Sequence, residues 1–544
     1  MAETRLKSSQ LSASDRHWAE VAADAVQAQF PDEKLYTCAA GISPSGVVHF
    51  GNLRDVMTSY AVFQTLKARG LPAKFLFSWD DYDRFRKVPE GIDASFGEHI
   101  GKPLSAVPDP HGTCASYAER YEREFMESME ECGIHMEYVF QSREYQSGRY
   151  DDEIVRCMER REEIAKILLS FMSDKGKEMK GINEKEYIAS YYPIAVYSRF
   201  SGKDTVKITG YDGGSIIRYR CKESGKEEEV DLREERIAKL AWKVDWPMRW
   251  NEEGVVFEPG GHDHASPGGS YDTSFDLART IFGRKGPVFI GYEFIGLRGI
   301  GGKMSGSKGK VMSPAQLLRL FEPSLLTWLY LRRHPGQKFE LAFDSETLRQ
   351  YAEFDRDVAG YASLPAPAQT SVRLSCGGDP ASEQTQAIPF RLAASLGQIV
   401  QWDEERLQDV LGRMELQYSP QSIHARLPRA RHWIEEYNPE QAIRLLPGVN
   451  AAYAEAMSAD AKAQISALRQ ELLAHPGLSL QELEALTYRI PKDESRDDAE
   501  NRKCQRAFFA DAYNLLIGKD TGPRLGTFLA VIDREQVLAL LDVG

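Results

Sequence analysis

No stretch of the 544-residue chain approaches the ~20 uninterrupted apolar residues that a membrane-spanning helix needs. The opening residues, MAETRLKSSQLSASDRHWAE, lack the apolar core and small-residue cleavage site of a secretory signal, so the expected location is cytoplasmic. Cysteine is scarce. The seven present, Cys38, Cys114, Cys132, Cys157, Cys221, Cys376 and Cys504, are odd in number and form no CxxC pair, which argues against a disulfide framework and against an intact zinc site. A positive excess is missing too. With 68 basic and 81 acidic residues the net charge is -13, which excludes general coating of nucleic acid while leaving room for a local basic face. What remains is ordinary globular composition, 42% hydrophobic and 27% charged, in a chain long enough for three or four domains.

The local patterns set out an α/β protein. LYTCAAG reads as a strand, ISPSGVVHFGN as a turn, Leu53 to Arg69 as a helix stopped by Gly70 and Pro72, and AKFLFSW as a second strand. This β-turn-α-β unit opens a Rossmann-like, parallel-sheet catalytic domain whose first half is expected at 1–100. Residues 101–245 are charged helices followed by a turn-rich stretch and read as an insertion. Strand character returns in GVVFEPGG and GPVFIGYEFIGL, giving a second half at 246–312. Helices dominate afterwards: a stem and linker at 313–390, including a Pro/Ser/Gly-rich loop or hinge at 364–389, and an all-α region at 391–544.

Two stretches carry chemistry. Pro44-Ser45-Gly46-Val47-Val48-His49-Phe50-Gly51-Asn52 lies between a strand and a helix, where glycine lets backbone approach a ligand and the helix start favours phosphate. The His49 imidazole and Asn52 carboxamide can both face triphosphate oxygens. Gly301 to Lys310 is a glycine-rich loop with Lys303, Lys308 and Lys310. It is not a Walker loop, because Met304 follows the lysine and no long helix comes next.

Together the xHxGN turn and the Lys303-Met304-Ser305-Gly306-Ser307 loop resemble the signature pair of class I aminoacyl-tRNA synthetases. WDDYDRFRKVP (79–89), KVDWPMRW (243–250), GGHDHASPGGSYD (260–272), YEFIGLRG (292–299) and the tail RAFFADAYNLLIGKDTGPRLGTFLAVI (506–532) are similar to class I lysyl-tRNA synthetases over nearly the whole chain. The resemblance implies lysine–tRNA ligation: ATP with Mg2+ activates L-lysine, which passes to tRNA(Lys) at a 2′-hydroxyl. It makes His49, Asn52 and Lys303 catalytic. ATP is expected at Pro44, Gly46, His49, Gly51, Asn52, Gly261, Asp263, Lys303, Met304, Ser305 and Ser307. Gly306 departs from the KMSKS pattern, and whether Lys308 substitutes is open. The region 391–544 is then the anticodon-binding region.

A lysine side chain enters charged and needs an anion and an aromatic face. The candidates are Asp80 and Asp81 beside Trp79, Trp242, Trp246, and Tyr292 with Glu293. His264 belongs to a family motif, and Gly41 and Ser43 stand where the family contacts the amino acid. In the insertion, Ser198-Arg199-Phe200-Ser201-Gly202 and Cys221-Lys222-Glu223-Ser224-Gly225 keep the rhythm of a zinc ribbon with three of four thiols replaced by serine, so a ribbon without structural zinc is expected. Arg426, Arg429, Arg431 and Trp433 combine charge and stacking and are candidates for tRNA, with Lys519 and Arg524 as weaker ones. A solvated helix face is the competing reading of that segment. The rival functions are a class I synthetase for another amino acid, glutamate especially, against which Asp80 and Asp81 speak, and a non-catalytic tRNA-binding relative, against which intact His49, Asn52 and Lys303 speak.

Overall fold

A computed structural model describes residues 5–12, 15–179, 181–266, 268–298, 312–378, 380 and 386–543. The parallel sheet begins with β1 (Tyr36–Ile42), α1 (Leu53–Ala68) and β2 (Ala73–Trp79), then α2 (Tyr117–Glu131) and β3 (Glu137–Phe140). It resumes with α3 (Trp242–Glu252), β4 (Val255–Phe257), β5 (Gly260–Gly261) and β6 (Phe289–Tyr292). Strands run β4-β1-β2-β3, all parallel. A parallel bridge from Phe257 to Val288 carries the layer on to β6, which pairs with β5 and with Arg5–Leu6. Tyr36–Ala40 is buried without alternation, as expected for a strand covered on both faces. Helix α1 is likewise buried almost all round, Arg54 and Asp55 included, which is why its sequence shows only a weak stripe.

Two readings of the sequence need correction. The span 101–245 is not wholly an insertion, because β3 joins the sheet in register with β2, Phe77 opposite Tyr138 and Trp79 opposite Phe140. The charged outer face of α2 conceals a crossover helix whose inner face buries Tyr117, Phe125 and Met129, with Phe125 stacked 5.2 Å from Phe77. The span 364–389 is not all loop either. Ala366–Ser375 is a helix with Pro365 at its N-cap and Pro367 in its first turn, positions where proline's missing N–H costs nothing.

Beyond β3 the chain builds short helices and then an antiparallel ribbon, Val206–Tyr211, Ile216–Cys221 and Glu227–Asp231. It returns through α3, which contains Pro247. Proline there cannot donate to the carbonyl of Lys243. The Ser274 hydroxyl donates to that oxygen instead, at 3.2 Å.

The chain divides into two compact units, Met1–Leu341 with Gly360–Pro380, and Ala342–Ala359 with Ala381–Gly544. In the second unit the helices Glu346–Ala359, Phe390–Ile399 and Pro420–His432 share a core in which Tyr351 stacks on Phe390 at 3.9 Å. Farther along lie Ala459–Ala474, Leu480–Arg489, Asp498–Ile517 and Leu525–Val531.

Candidate active site

The turn between β1 and α1 is held by its own polar groups. His49 N–H donates to Asn52 Oδ1 at 3.0 Å and Asn52 N–H to the His49 carbonyl at 2.8 Å. Gly51 N–H donates to His49 Nδ1 at 3.1 Å. That bond leaves Nδ1 as the acceptor and assigns the ring proton to Nε2. Burial pulls the imidazole below its ordinary pKa, so the neutral ring presents one N–H. Gly51 is required by space, since a Cβ there would lie 2.8 Å from the His49 ring. The Tyr330 hydroxyl donates to the Phe50 carbonyl at 2.7 Å, Tyr117 to the Ser45 carbonyl at 3.0 Å, and Phe50 N–H to the Met312 carbonyl at 3.0 Å. The turn is therefore set before any ligand arrives.

Ser43, Gly46, His49 and Asn52 line one wall of a cleft of about 990 Å³, with Lys87, Pro89, His111 and Tyr121 on others. Pro44 is buried beneath the turn. Gly261 sits at the end of β5 against the Tyr292 ring, and Asp263 is exposed on the short helix His262–Ala265. Lys303, Met304, Ser305, Ser307 and Lys308 lie outside the described residues.

The aromatic candidates converge beside β1, where Trp246 shares a core with Ala39 and Trp242 packs against it. Trp242 and Trp246 stack at 5.2 Å, and the His264 ring lies 6.2 and 5.8 Å from them. Asp55, which sequence reasoning missed, faces this region from α1. Its carboxylate accepts from Gly41 N–H at 3.3 Å and is hydrogen-bonded by the Tyr292 hydroxyl. Burial, then the nearby Glu258 charge, push Asp55 well above the usual carboxyl range. Glu258 is also raised by burial and accepts from Trp250 Nε1 at 2.5 Å. No lysine or arginine among the described residues forms an ion pair with Asp55. The residue stands three positions after Asn52, but nothing local in the sequence marks it as buried.

Asp80 and Asp81 are already partnered, which corrects their assignment as the free anions. Arg249 donates to Asp80 at 2.6 Å and pairs with Asp245 at 3.1 Å, while Asp245 also faces Lys239 at 3.6 Å. Asp81 accepts from the Ser142 backbone at 2.8 Å and from the Ser142 hydroxyl. The Arg249 guanidinium also lies 5.5 Å from the Trp242 ring centre, so this network braces the aromatic wall. Glu293 points to His262 at 3.5 Å and Lys338 at 3.6 Å.

The proposed tRNA segment is corrected as well. Trp433 is 1% exposed and its indole N–H donates to the Phe343 carbonyl at 3.1 Å. Arg426 is 2% exposed, clamps Asp355 at 2.6 and 2.8 Å, and lies over Tyr351. Arg429 is half-buried, and Arg431 is exposed but paired with Glu435 at 2.9 Å. Arg426 and Trp433 therefore build the core instead of a stacking surface. Arg426→Ala is accordingly expected to cost about 3 kcal/mol by stranding Asp355, read as a fall in denaturant midpoint.

A parallel sheet with an HxGN turn between an inner strand and its helix is the arrangement that the resemblance to class I aminoacyl-tRNA synthetases implies. Residues 16–375 match the family model described as tRNA synthetases class I (K), and the chain belongs to that family. It is 36% identical to a lysine–tRNA ligase from Streptomyces coelicolor, over 94% of this chain and 95% of that one. It is 34% identical to a lysine–tRNA ligase from Pyrococcus horikoshii, over 96% and 99%. Among solved structures, a glutamate tRNA ligase from Elizabethkingia meningosepticum aligns at a TM-score of 0.45 and 12% identity, covering 94% and 99%. Among the described residues no helix is long and apolar enough to cross a membrane.

Proposed function

We propose that the protein ligates lysine to tRNA(Lys) in two ATP-driven steps. The observation that carries this reading is Asp55, a buried carboxyl that forms no ion pair among the described residues and feels the charge of Glu258, which Trp246 and Trp250 hydrogen-bond. Two acids in an apolar pocket call for a cationic substrate, and lysine brings two ammonium groups. A glutamate side chain would bring a third acid to this site without a cation for any of them among the described contacts of Asp55. Pyrophosphate exchange tested with each amino acid in turn, with and without tRNA, checks the assignment. Exchange driven by glutamate and not by lysine would overturn it.

In the first step a lysine carboxylate oxygen forms a bond to the α-phosphorus of ATP and the bond to the β-phosphate oxygen breaks, releasing pyrophosphate. This chemistry needs positioning and charge stabilisation, not a protein nucleophile. His49 Nε2–H and the Asn52 region face the phosphates, Lys303 neutralises charge that grows on them, and Gly261 and Asp263 serve the nucleoside end. Among the described residues no cluster of three His, Cys, Asp or Glu side chains is placed to hold a metal; Mg2+ is expected to come with its nucleotide. In the second step the terminal ribose hydroxyl of tRNA attacks the lysyl carbonyl carbon and AMP departs. Residues 1–140 and 246–312 supply this chemistry, 141–245 flanks it, 313–390 forms the stem, and 391–544 reads the tRNA.

The ribbon works without zinc in this reading. Cys221 is buried, with its sulfur 3.7 Å from the Ser201 hydroxyl. Burial raises its thiol, but hydroxyls of Ser198, Ser224 and Ser201 outweigh that and bring it down to about 6. Serine is a poor zinc ligand, so three hydroxyls and one sulfur do not fit the ion. Elemental analysis of the purified protein is expected to find well under one zinc per chain, and chelator is expected to leave its melting temperature unchanged.

A further inference from the structure

The wall of the cleft that faces the phosphate turn carries an unassigned cation. Residues 87–92 form this wall together with His111 and Tyr121. In the run Arg84-Phe85-Arg86-Lys87 the three bases divide. Arg84 pairs with Asp204 at 3.2 Å and the charge of Arg86 also acts on Asp204, while Phe85 is buried. Lys87 is exposed and lines the cleft, and its side chain forms no ion pair or hydrogen bond among the described residues. Among the described residues it is the one lysine or arginine on any wall of that cleft.

Both walls are fixed to one support. Val88 and Ile92 pack against a cluster of Phe85, Leu104 and Tyr117, and Ile92 N–H donates to the Pro89 carbonyl at 3.3 Å. That turn places Gly91 at φ +87°, a left-handed value that glycine adopts freely. The Tyr117 hydroxyl of the same cluster donates to the Ser45 carbonyl at 3.0 Å. One side chain therefore braces both the strap that presents Lys87 and the turn that presents His49 and Asn52. His111 is set by Asp109, whose carboxylate accepts from His111 N–H at 3.3 Å and Thr113 N–H at 2.7 Å. A cation carried on backbone this constrained loses less freedom on meeting its ligand.

We propose that Lys87 is a further catalytic residue of the activation step, its ammonium neutralising the β- and γ-phosphate oxygens as pyrophosphate leaves. The inference rests on the tRNA-ligase reading above. As the substrate carboxylate bonds to the α-phosphorus, the electron pair of the breaking P–O bond passes to the oxygen that stays with the β-phosphate. His49 offers that group a neutral N–H from the turn, and Lys87 offers a full positive charge from the facing wall. Lys87 stays protonated throughout, so the step needs no proton from it. Glu90 is the one acid lining the cleft among the described residues. It opposes the departing charge, and its removal should not slow the step.

The test uses the full chain with ATP, L-lysine and a tRNA(Lys) transcript in single-turnover reactions. Lys87→Ala is expected to slow adenylate formation about a hundredfold. It should also raise the pyrophosphate concentration needed for reversal about tenfold or more, with the KM for lysine unchanged. Lys87→Arg is expected to recover most of the rate and Lys87→Met none of it, whereas Glu90→Gln should run at the wild-type rate or faster. Transfer from preformed lysyl-adenylate to tRNA separates this source of phosphate from the tRNA backbone, and Lys87→Ala is expected to leave that step at its wild-type rate. Wild-type adenylation and pyrophosphate affinity in Lys87→Ala would overturn the proposal. So would equal losses in Lys87→Ala and Glu90→Gln, which report the shape of the strap, or a defect confined to transfer, which would put Lys87 on a tRNA phosphate. If the wild-type protein shows no lysine-dependent pyrophosphate exchange, it is the tRNA-ligase reading that fails instead.

Discussion

Asp55→Asn is expected to raise the KM for lysine by at least about a hundredfold, the scale of ~3 kcal/mol for a buried charge-assisted contact, with far less change in the KM for ATP. Asparagine keeps the shape and the contacts to Gly41 and Tyr292 but removes the negative charge. Lysine-dependent pyrophosphate exchange, with both KM values measured, checks this. A second readout follows from the raised carboxyl. A carboxyl whose folded pKa lies above its unfolded value near ~4 contributes stability that is present below that value and is lost as pH rises through the folded one. Relative to the wild type, the free Asp55→Asn protein should therefore gain stability as pH rises. Bound lysine should narrow that difference, since its ammonium gives the ionised Asp55 a partner. Equal lysine KM in the two proteins would remove Asp55 from the pocket.

Lys303→Ala is expected to slow adenylate formation by about 10²–10³, or ~2.7–4 kcal/mol, while weakening ATP binding much less. The lysine is assigned to charge that develops only as pyrophosphate leaves, and a group of that kind acts on the rate more than on ground-state affinity. Single-turnover adenylation is the measurement, because a steady-state rate can report product release. Adenylation at the wild-type rate would show that the loop's other lysines do this work.

Much of the catalytic half could be read from local pattern. The strands at 36–42 and 73–79 and the helix at 53–68 are short, strongly apolar and punctuated by Gly70 and Pro72, so neighbours in sequence carry the signal. What could not be read depends on partners distant in sequence. Asp80 looks like a free anion until Arg249 is brought to it across 169 positions, and Asp55 looks solvated until Gly41 and Tyr292 are brought against it. Trp433 beside three arginines imitates a nucleic-acid surface, yet Trp433 and Arg426 serve a core whose other members, Phe343 and Asp355, lie some 90 and 70 positions earlier. Strand β3 was obscured for a related reason: only one face of α2 is buried, and its charged face dominates the composition.

The strand order has a consequence for how the chain is made. β1 is central, but its partner β4 and the closing strand β6 are encoded more than 200 residues later. At ~5–20 residues per second of synthesis, the ribosome needs roughly 10–50 s to deliver them. Throughout that interval the newborn β1–α1–β2 unit carries an apolar strand with one edge unpaired, the kind of edge that recruits other chains. The ribbon and the short helices encoded between β3 and α3 emerge during this wait. Nascent chains halted before residue 255 should therefore engage a holding chaperone, and those extended past residue 292 should release it.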